Sequence, residues 1–107
     1  MKYTVNFVSE AEKDLFEIYE YVKKSGYPFT AMELFKRIEK SCKDLCDFPE
    51  RGRVPPELER IGVLEYREII IGVYRIIYRI IGPNVFIYCI FDGRRDIQEI
   101  LHHRILR

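Results

Sequence analysis

Lys2 to Val8 alternates, with Tyr3, Val5 and Phe7 on one side and Lys2, Thr4 and Asn6 on the other, the two-residue period of a half-buried strand. Ser9 and Glu12 then have the spacing of a capping box, and Ala11, Leu15, Ile18, Tyr19 and Val22 recur at helical intervals, which predicts a first helix to about Ser25. Gly26 suits a left-handed stop and Pro28 suits the opening of a second helix. Thr30 with Glu33 repeats the capping pattern ahead of Ala31, Leu34, Phe35, Ile38, Cys42 and Leu45. The two helices are expected to form an antiparallel hairpin. Phe48-Pro49 ends the second, and Glu50 to Leu64, with Gly52, Pro55, Pro56 and Gly62 and no sustained period, reads as a loop.

From Tyr66 the chain becomes rich in Ile, Tyr, Val and Phe, cut by Gly72 and by Gly82-Pro83-Asn84 into three strand-length segments, a meander. Asp96 with Glu99 offers a last capping pair, and Ile97, Ile100, Leu101 and Ile105 give a short terminal helix. The order βααβββα predicts an α+β fold, a helix hairpin covering one face of a small, mostly antiparallel sheet, as one domain over residues 1–107. Counting by two along Val73 to Ile81 sets Tyr74, Ile76, Tyr78 and Ile80 toward the helices and Arg75, Ile77 and Arg79 away from them. Arg67 on the preceding strand is expected on that same outer face, with Arg94-Arg95 just past the last strand, so that a basic surface forms in space.

Charge sharpens this picture. The net charge is only +1, but it is the sum of two unlike halves. Residues 1–50 carry seven Lys and one Arg against ten acids, net −2; residues 51–107 carry ten Arg and no Lys against seven acids, net +3. Arg and Lys serve solubility equally, whereas the planar guanidinium binds phosphate bidentately and stacks on bases, so an Arg-only half points to phosphate recognition. The competing explanation is a solvated strand face whose arginines pair with Glu65, Glu68, Asp92 or Asp96.

Other chemistries fare less well. Unbroken apolar stretches such as Ile69 to Ile71 fall far short of the roughly 18 residues that span a bilayer. The beginning of the chain has no apolar core of a secretory signal, which leads to a cytoplasmic expectation. An odd set of cysteines, Cys42, Cys46 and Cys89, argues for reduced thiols rather than a disulfide framework. Cys42 and Cys46 share a helical face and could join His102 and His103 around zinc, but Cys42 falls on the apolar stripe and packing is the better account. Most of the eight Tyr and seven Phe are assigned to the core. With no Gly-rich phosphate loop, no metal or nucleotide cofactor is expected. His102 and His103 near phosphate-binding arginines could transfer a proton in RNA cleavage.

Asp14-Leu15-Phe16-Glu17-Ile18-Tyr19-Glu20-Tyr21-Val22, the segment Arg67-Glu68-Ile69-Ile70, the strand Gly72-Val73-Tyr74-Arg75-Ile76-Ile77-Tyr78-Arg79 and Gly93-Arg94-Arg95-Asp96 together resemble the RelE/ParE superfamily of bacterial toxins over nearly the whole chain. The resemblance implies a small cytoplasmic toxin of a type II toxin-antitoxin pair, partnered with an antitoxin encoded beside it. RelE-like members are ribosome-dependent, metal-free endoribonucleases in which basic residues stabilise the scissile phosphate while the RNA's own 2′-hydroxyl attacks. By position, Arg75 and Arg95 would carry that role, with Arg67, Arg79 and Arg94 as further phosphate-binding residues. Where those toxins place a lysine pair, this chain has Tyr66, Arg67 and Glu68, and their C-terminal tyrosine is approximated by Leu101 or His102. Other nuclease branches use a C-terminal histidine, a role open to His102 or His103. ParE-like members have no known hydrolytic site and inhibit DNA gyrase by binding; the first-helix pattern and Arg67-Glu68-Ile69-Ile70 look closer to them. A degenerate RNA-binding or interaction module on the same fold is the alternative.

Overall fold

The computed structural model describes residues 2–106. Strand β1 (Thr4–Phe7) leads into helix α1 (Ser9–Lys24), followed by α2 (Pro28–Lys43). Both helices start without a side-chain cap, on Val8 and Tyr27, so Ser9 and Thr30 lie inside the first turns and the two expected capping boxes do not form. Glu10 and Glu12 at the start of α1 and Lys23 and Lys24 at its end oppose the helix dipole instead. Pro28 opens α2, where its missing N–H costs nothing, and Gly26 has a φ of 96°, which only glycine adopts without strain. The third cap does form: the Asp96 carboxylate accepts the N–H groups of Gln98 and Glu99 at the start of α4 (Ile97–Leu101), which continues as a π-helical turn over His102–Leu106.

Strands β2 (Tyr66–Ile71), β3 (Tyr74–Ile81) and β4 (Asn84–Asp92) form the expected antiparallel meander, and β1 pairs in parallel with β4, giving the order β1-β4-β3-β2. Between Ile77 and Tyr78 the β3–β4 register slips: Ile77 faces Cys89 while Tyr78 faces Ile87, leaving Tyr88 as a bulge. The bulge reverses the alternation along β4. Val85 and Ile87 face the helix hairpin before it and Ile90 does so after it, whereas Cys89 and Phe91 turn to the outer face.

Two apolar clusters result. On the inner face, Ile69, Ile76, Tyr78, Val85, Ile87 and Ile90 pack against Ala11, Leu15, Ile38, Cys42 and Leu45 of the helical layer. The outer face is not left open as expected. Ile77, Cys89 and Phe91 are covered there by Leu101 of α4 and by Leu58, with Ile97, Ile100 and Ile105 at the margin. Each such buried aliphatic side chain contributes roughly 1.5–3 kcal/mol, enough to hold a five-residue helix that has no stability alone.

The segment 50–64 is also more than a loop. It contains a 3₁₀ turn at Pro49–Arg51 and a short helix α3 (Pro56–Glu59), and its Leu58 is wholly buried in the outer cluster. Arg53 and Glu68 exchange backbone hydrogen bonds of 3.1 and 2.7 Å, adding a bridge to the free edge of β2. Buried Tyr78 ties the same segment to β3, its hydroxyl donating to the Pro49 carbonyl at 2.6 Å and accepting from the Gly52 N–H at 3.0 Å. Burial pushes the Cys42 and Cys89 thiols up to about 12, so both remain protonated. Among the described residues, no helix is long and apolar enough to cross a membrane.

Candidate functional site

The arginines that the sequence gathers onto one surface are dispersed by the fold. Arg67 stands opposite Tyr78 in the β2–β3 register and therefore shares the inner face with the helix hairpin, across the sheet from Arg75 and Arg79. Its guanidinium donates to the carbonyls of Gly52 and Glu50 at 2.7 and 3.1 Å, a fixed bond to the 50–64 segment. The parity of Ile69 and Ile71, both inner-face residues, carries this assignment; the expectation had placed Arg67 outside.

Arg75 does lie on the outer face, held between two carboxylates. Its Nε donates to Glu68 at 2.6 Å, and Nη1 and Nη2 form a bidentate pair with Glu57 at 3.0 and 2.8 Å. The guanidinium stacks over Phe91 with its carbon 5.8 Å from the ring centroid, and only 11% of the side chain is exposed. Glu68, whose side chain is fully buried, takes a second ion pair from Arg53 at 2.9 Å. Two positive and two negative charges therefore cancel in this cluster. The Arg75 hydrogen bond holds the Glu57 carboxyl below its ordinary range, and the same bond, ahead of that to Glu68, raises the Arg75 pKa.

Arg94 and Arg95 follow β4 as expected and both are exposed. Arg94 closes back on Asp92, with Nε and Nη2 bonds of 2.9 and 2.6 Å, and holds that carboxyl down at about 2. Arg95 has no ion pair among the described residues and enters a groove between α1, the end of β4 and α4. One lobe of about 520 Å³ is floored by Ile18, Tyr74, Ile90 and Phe91; the adjoining lobe, about 530 Å³, reaches Glu99 and His103. His103 thus lines the same groove as Arg95. His102 is exposed beside it, ring to ring at 5.7 Å, and lines neither lobe. Arg79 is half-buried, its guanidinium carbon 5.7 Å from the Tyr66 ring centroid, with no carboxylate partner among the described residues.

Several residues that organise this region carry no local signal. Asp14 of α1 accepts the Ile90 N–H at 2.9 Å just beyond the bulge and takes both Nη groups of Arg104 at 3.1 and 2.9 Å. Arg104 also donates to the Tyr88 carbonyl and pairs with Glu10, which clamps the terminal helix to α1. Glu68 was among the carboxylates offered as partners of the strand arginines and does pair with Arg75, whereas nothing in the sequence marked Glu57 or Arg53 as members of the cluster. Among the described residues, no group of three or more His, Cys, Asp or Glu is arranged to hold a metal ion; Cys42 is buried under the helix hairpin while His102 and His103 belong to the helix on the opposite face.

Comparison with known proteins matches residues 5–97 to the family model of the ParE toxin of the type II toxin-antitoxin system parDE. No curated protein matches the chain by sequence. Among solved structures, a chain of the chromosomal ParDE system of P. aeruginosa superposes with a TM-score of 0.71 at 19% identity, covering 85% of this chain and 96% of that one. The RelBE2 toxin-antitoxin complex of Mycobacterium tuberculosis gives 0.59 at 23% identity, covering 86% and 99%. A double mutant of the E. coli toxin RelE in its free state gives 0.66 at 17% identity, covering 100% and 98%. At these identities the likeness is one of fold: the helix hairpin on a four-stranded mixed sheet.

Proposed function

The chain belongs to the ParE toxin family of type II toxin-antitoxin systems, and on that premise we propose that it arrests growth by binding DNA gyrase in the cytoplasm until an antitoxin encoded beside it captures it. The observation that favours binding over RNA cleavage is the setting of Arg75. Stabilising a developing phosphate charge requires hydrogen-bond donors preorganised toward the place where that charge appears. In this chain the strand arginine aims three donor bonds at Glu57 and Glu68, and the cluster it sits in is electrically neutral. Arg94 and Arg95, both exposed beside the groove, are then the cations that meet the target, while Arg67 serves the fold. The Arg-only half supplies steering, and the acidic helix hairpin keeps the whole near neutrality, so affinity depends on a specific assembly rather than on polyanions at large.

One arrangement favours a second reading, ribosome-dependent mRNA cleavage: Arg95, unpaired, shares its groove with His103, a combination of phosphate-binding cation and proton-transfer group. The test is paired. Purified chain is offered gyrase with relaxed plasmid in one reaction and ribosomes with mRNA in another. Loss of supercoiling without new RNA ends supports the proposal. RNA ends that diminish about 10²-fold in a folded Arg95→Ala or His103→Ala variant replace it with the nuclease. Expression alone that leaves growth unchanged, at confirmed soluble yield, removes the toxin reading and leaves a non-toxic interaction module on the fold.

A further inference from the structure

The outer face of the sheet is only half covered. Terminal helix α4 and Leu58 close over Ile77, Cys89 and Phe91, while toward the Gly82-Pro83 turn the face carries a row of side chains that starts at Tyr66, on the margin of that cluster. Strand register puts Tyr66 directly opposite Arg79, Arg79 opposite Phe86, and Phe86 opposite Asn6, so one row crosses β2, β3, β4 and β1. At a strand spacing of about 4.8 Å the row is roughly 14 Å long. The bulge adds Tyr88 to the same side, its ring edge-on to Tyr66 at 5.5 Å, and Asn84 sits beside Asn6 with an amide contact of 3.4 Å. Phe86 has no ring partner among the described residues and belongs to neither apolar cluster.

We propose that this row is a stacking platform for single-stranded nucleic acid, two or three bases lying on Phe86, Tyr88 and the Arg79 guanidinium. The argument is one of complementarity. An arginine without a carboxylate partner, flanked by aromatic rings and by two carboxamides, presents π faces, one positive charge and base-edge hydrogen-bonding groups, and none of the six residues named is acidic. Single strands offer the matching features, unstacked base faces and a phosphate for each. A duplex hides its bases. This goes beyond the toxin assignment: it concerns a ligand class, and its test involves no growth arrest, so either can fail alone.

The experiment is fluorescence anisotropy of the purified full chain with labelled ten-nucleotide oligo-dT and oligo-U, and with a duplex of equal length. Expected is saturable binding of the single strands, at least tenfold tighter than of the duplex. Phe86→Leu, which keeps an apolar side chain of similar bulk, should weaken binding about tenfold without altering its salt dependence. Arg79→Gln should weaken binding and lower the slope of log affinity against log salt by about 0.7, the signature of one lost phosphate contact. Lys36→Ala, an exposed cation on the far side of the helix hairpin, should leave both unchanged. All variants are compared at equal circular dichroism and melting temperature. Absence of single-strand binding, equal affinity for the duplex, or variants that bind as the parent does would each overturn the proposal; oligonucleotide silence combined with loss of gyrase binding in the same variants would reassign the row to a protein interface.

Discussion

Glu68 and Arg75 stand diagonally across the β2–β3 pair, and the Nε of Arg75 donates to the fully buried carboxylate at 2.6 Å. Removing the carboxylate leaves Arg75 with Glu57 alone and frees the Arg53 side chain. Glu68→Ala is expected to destabilise the protein by about 2–4 kcal/mol, measured by urea unfolding, because a charge in a low-dielectric site loses its counter-charge. Arg53→Ala, whose own side chain is 61% exposed, should cost under about 1 kcal/mol. Equal losses in the two variants would show that the cluster does not discriminate buried from solvated partners.

Acid sensitivity follows from two carboxyls. Glu57, held down mainly by Arg75, and Asp92, held down at about 2 mainly by Arg94, both release protons more readily folded than unfolded. Their stabilisation is complete above about pH 5 and drains as pH falls through the folded values. Urea midpoints taken from pH 6 downward should therefore decline, and Glu57→Gln should flatten part of the decline. A midpoint that rises on acidification contradicts the assignment.

Gly52 is required by crowding rather than by backbone angle. A Cβ there would come 2.5 Å from the Tyr78 hydroxyl and 2.6 Å from the Glu68 carbonyl. Gly52→Ala should cost about 2 kcal/mol or more in thermal unfolding. Combining it with Tyr78→Phe relieves the first clash only, so stability should not return to that of Tyr78→Phe alone; full recovery would place the strain on the hydroxyl.

Asp14 joins α1, β4 and the terminal helix, so Asp14→Ala strands the Ile90 N–H and leaves the Arg104 guanidinium held by Glu10 and the Tyr88 carbonyl alone. Amide hydrogen exchange should accelerate over 97–106 in this variant well before it does in α1 or α2. Uniform acceleration would mean that the terminal helix unfolds only with the whole domain.

Alternation made β3 readable, since Tyr74, Ile76 and Tyr78 face the helices as counted, and the apolar stripes of α1 and α2 likewise gave the hairpin. Local patterns failed where a long-range partner decides. The bulge at Tyr88 depends on where Asp14 catches the Ile90 N–H, seventy-six residues away, and nothing in the β4 sequence marks it. Arg67 was misplaced because β2 mixes polar and apolar residues on both faces, and only its pairing with Tyr78 fixes the side. Ser9 and Thr30 match a cap motif, yet the preceding strand and Pro28 start each helix earlier. At the site, the positions of Arg94 and Arg95 were legible, and so was a pairing of the strand arginines with Glu68 and Asp92, whereas the second carboxylate on Arg75 was not: Glu57 reaches it from a segment with no period at all.

Among the described residues, strand β1 finds its one sheet neighbour in β4, with Thr4 beside Asn84, eighty residues further along. A chain emerging from the ribosome therefore cannot complete its sheet until β4 has been made, and the helix hairpin, synthesised earlier, must wait with its apolar stripe uncovered. For a protein of this family that delay sets an order of events. Until β4 has been made, the surfaces that depend on the assembled sheet do not exist.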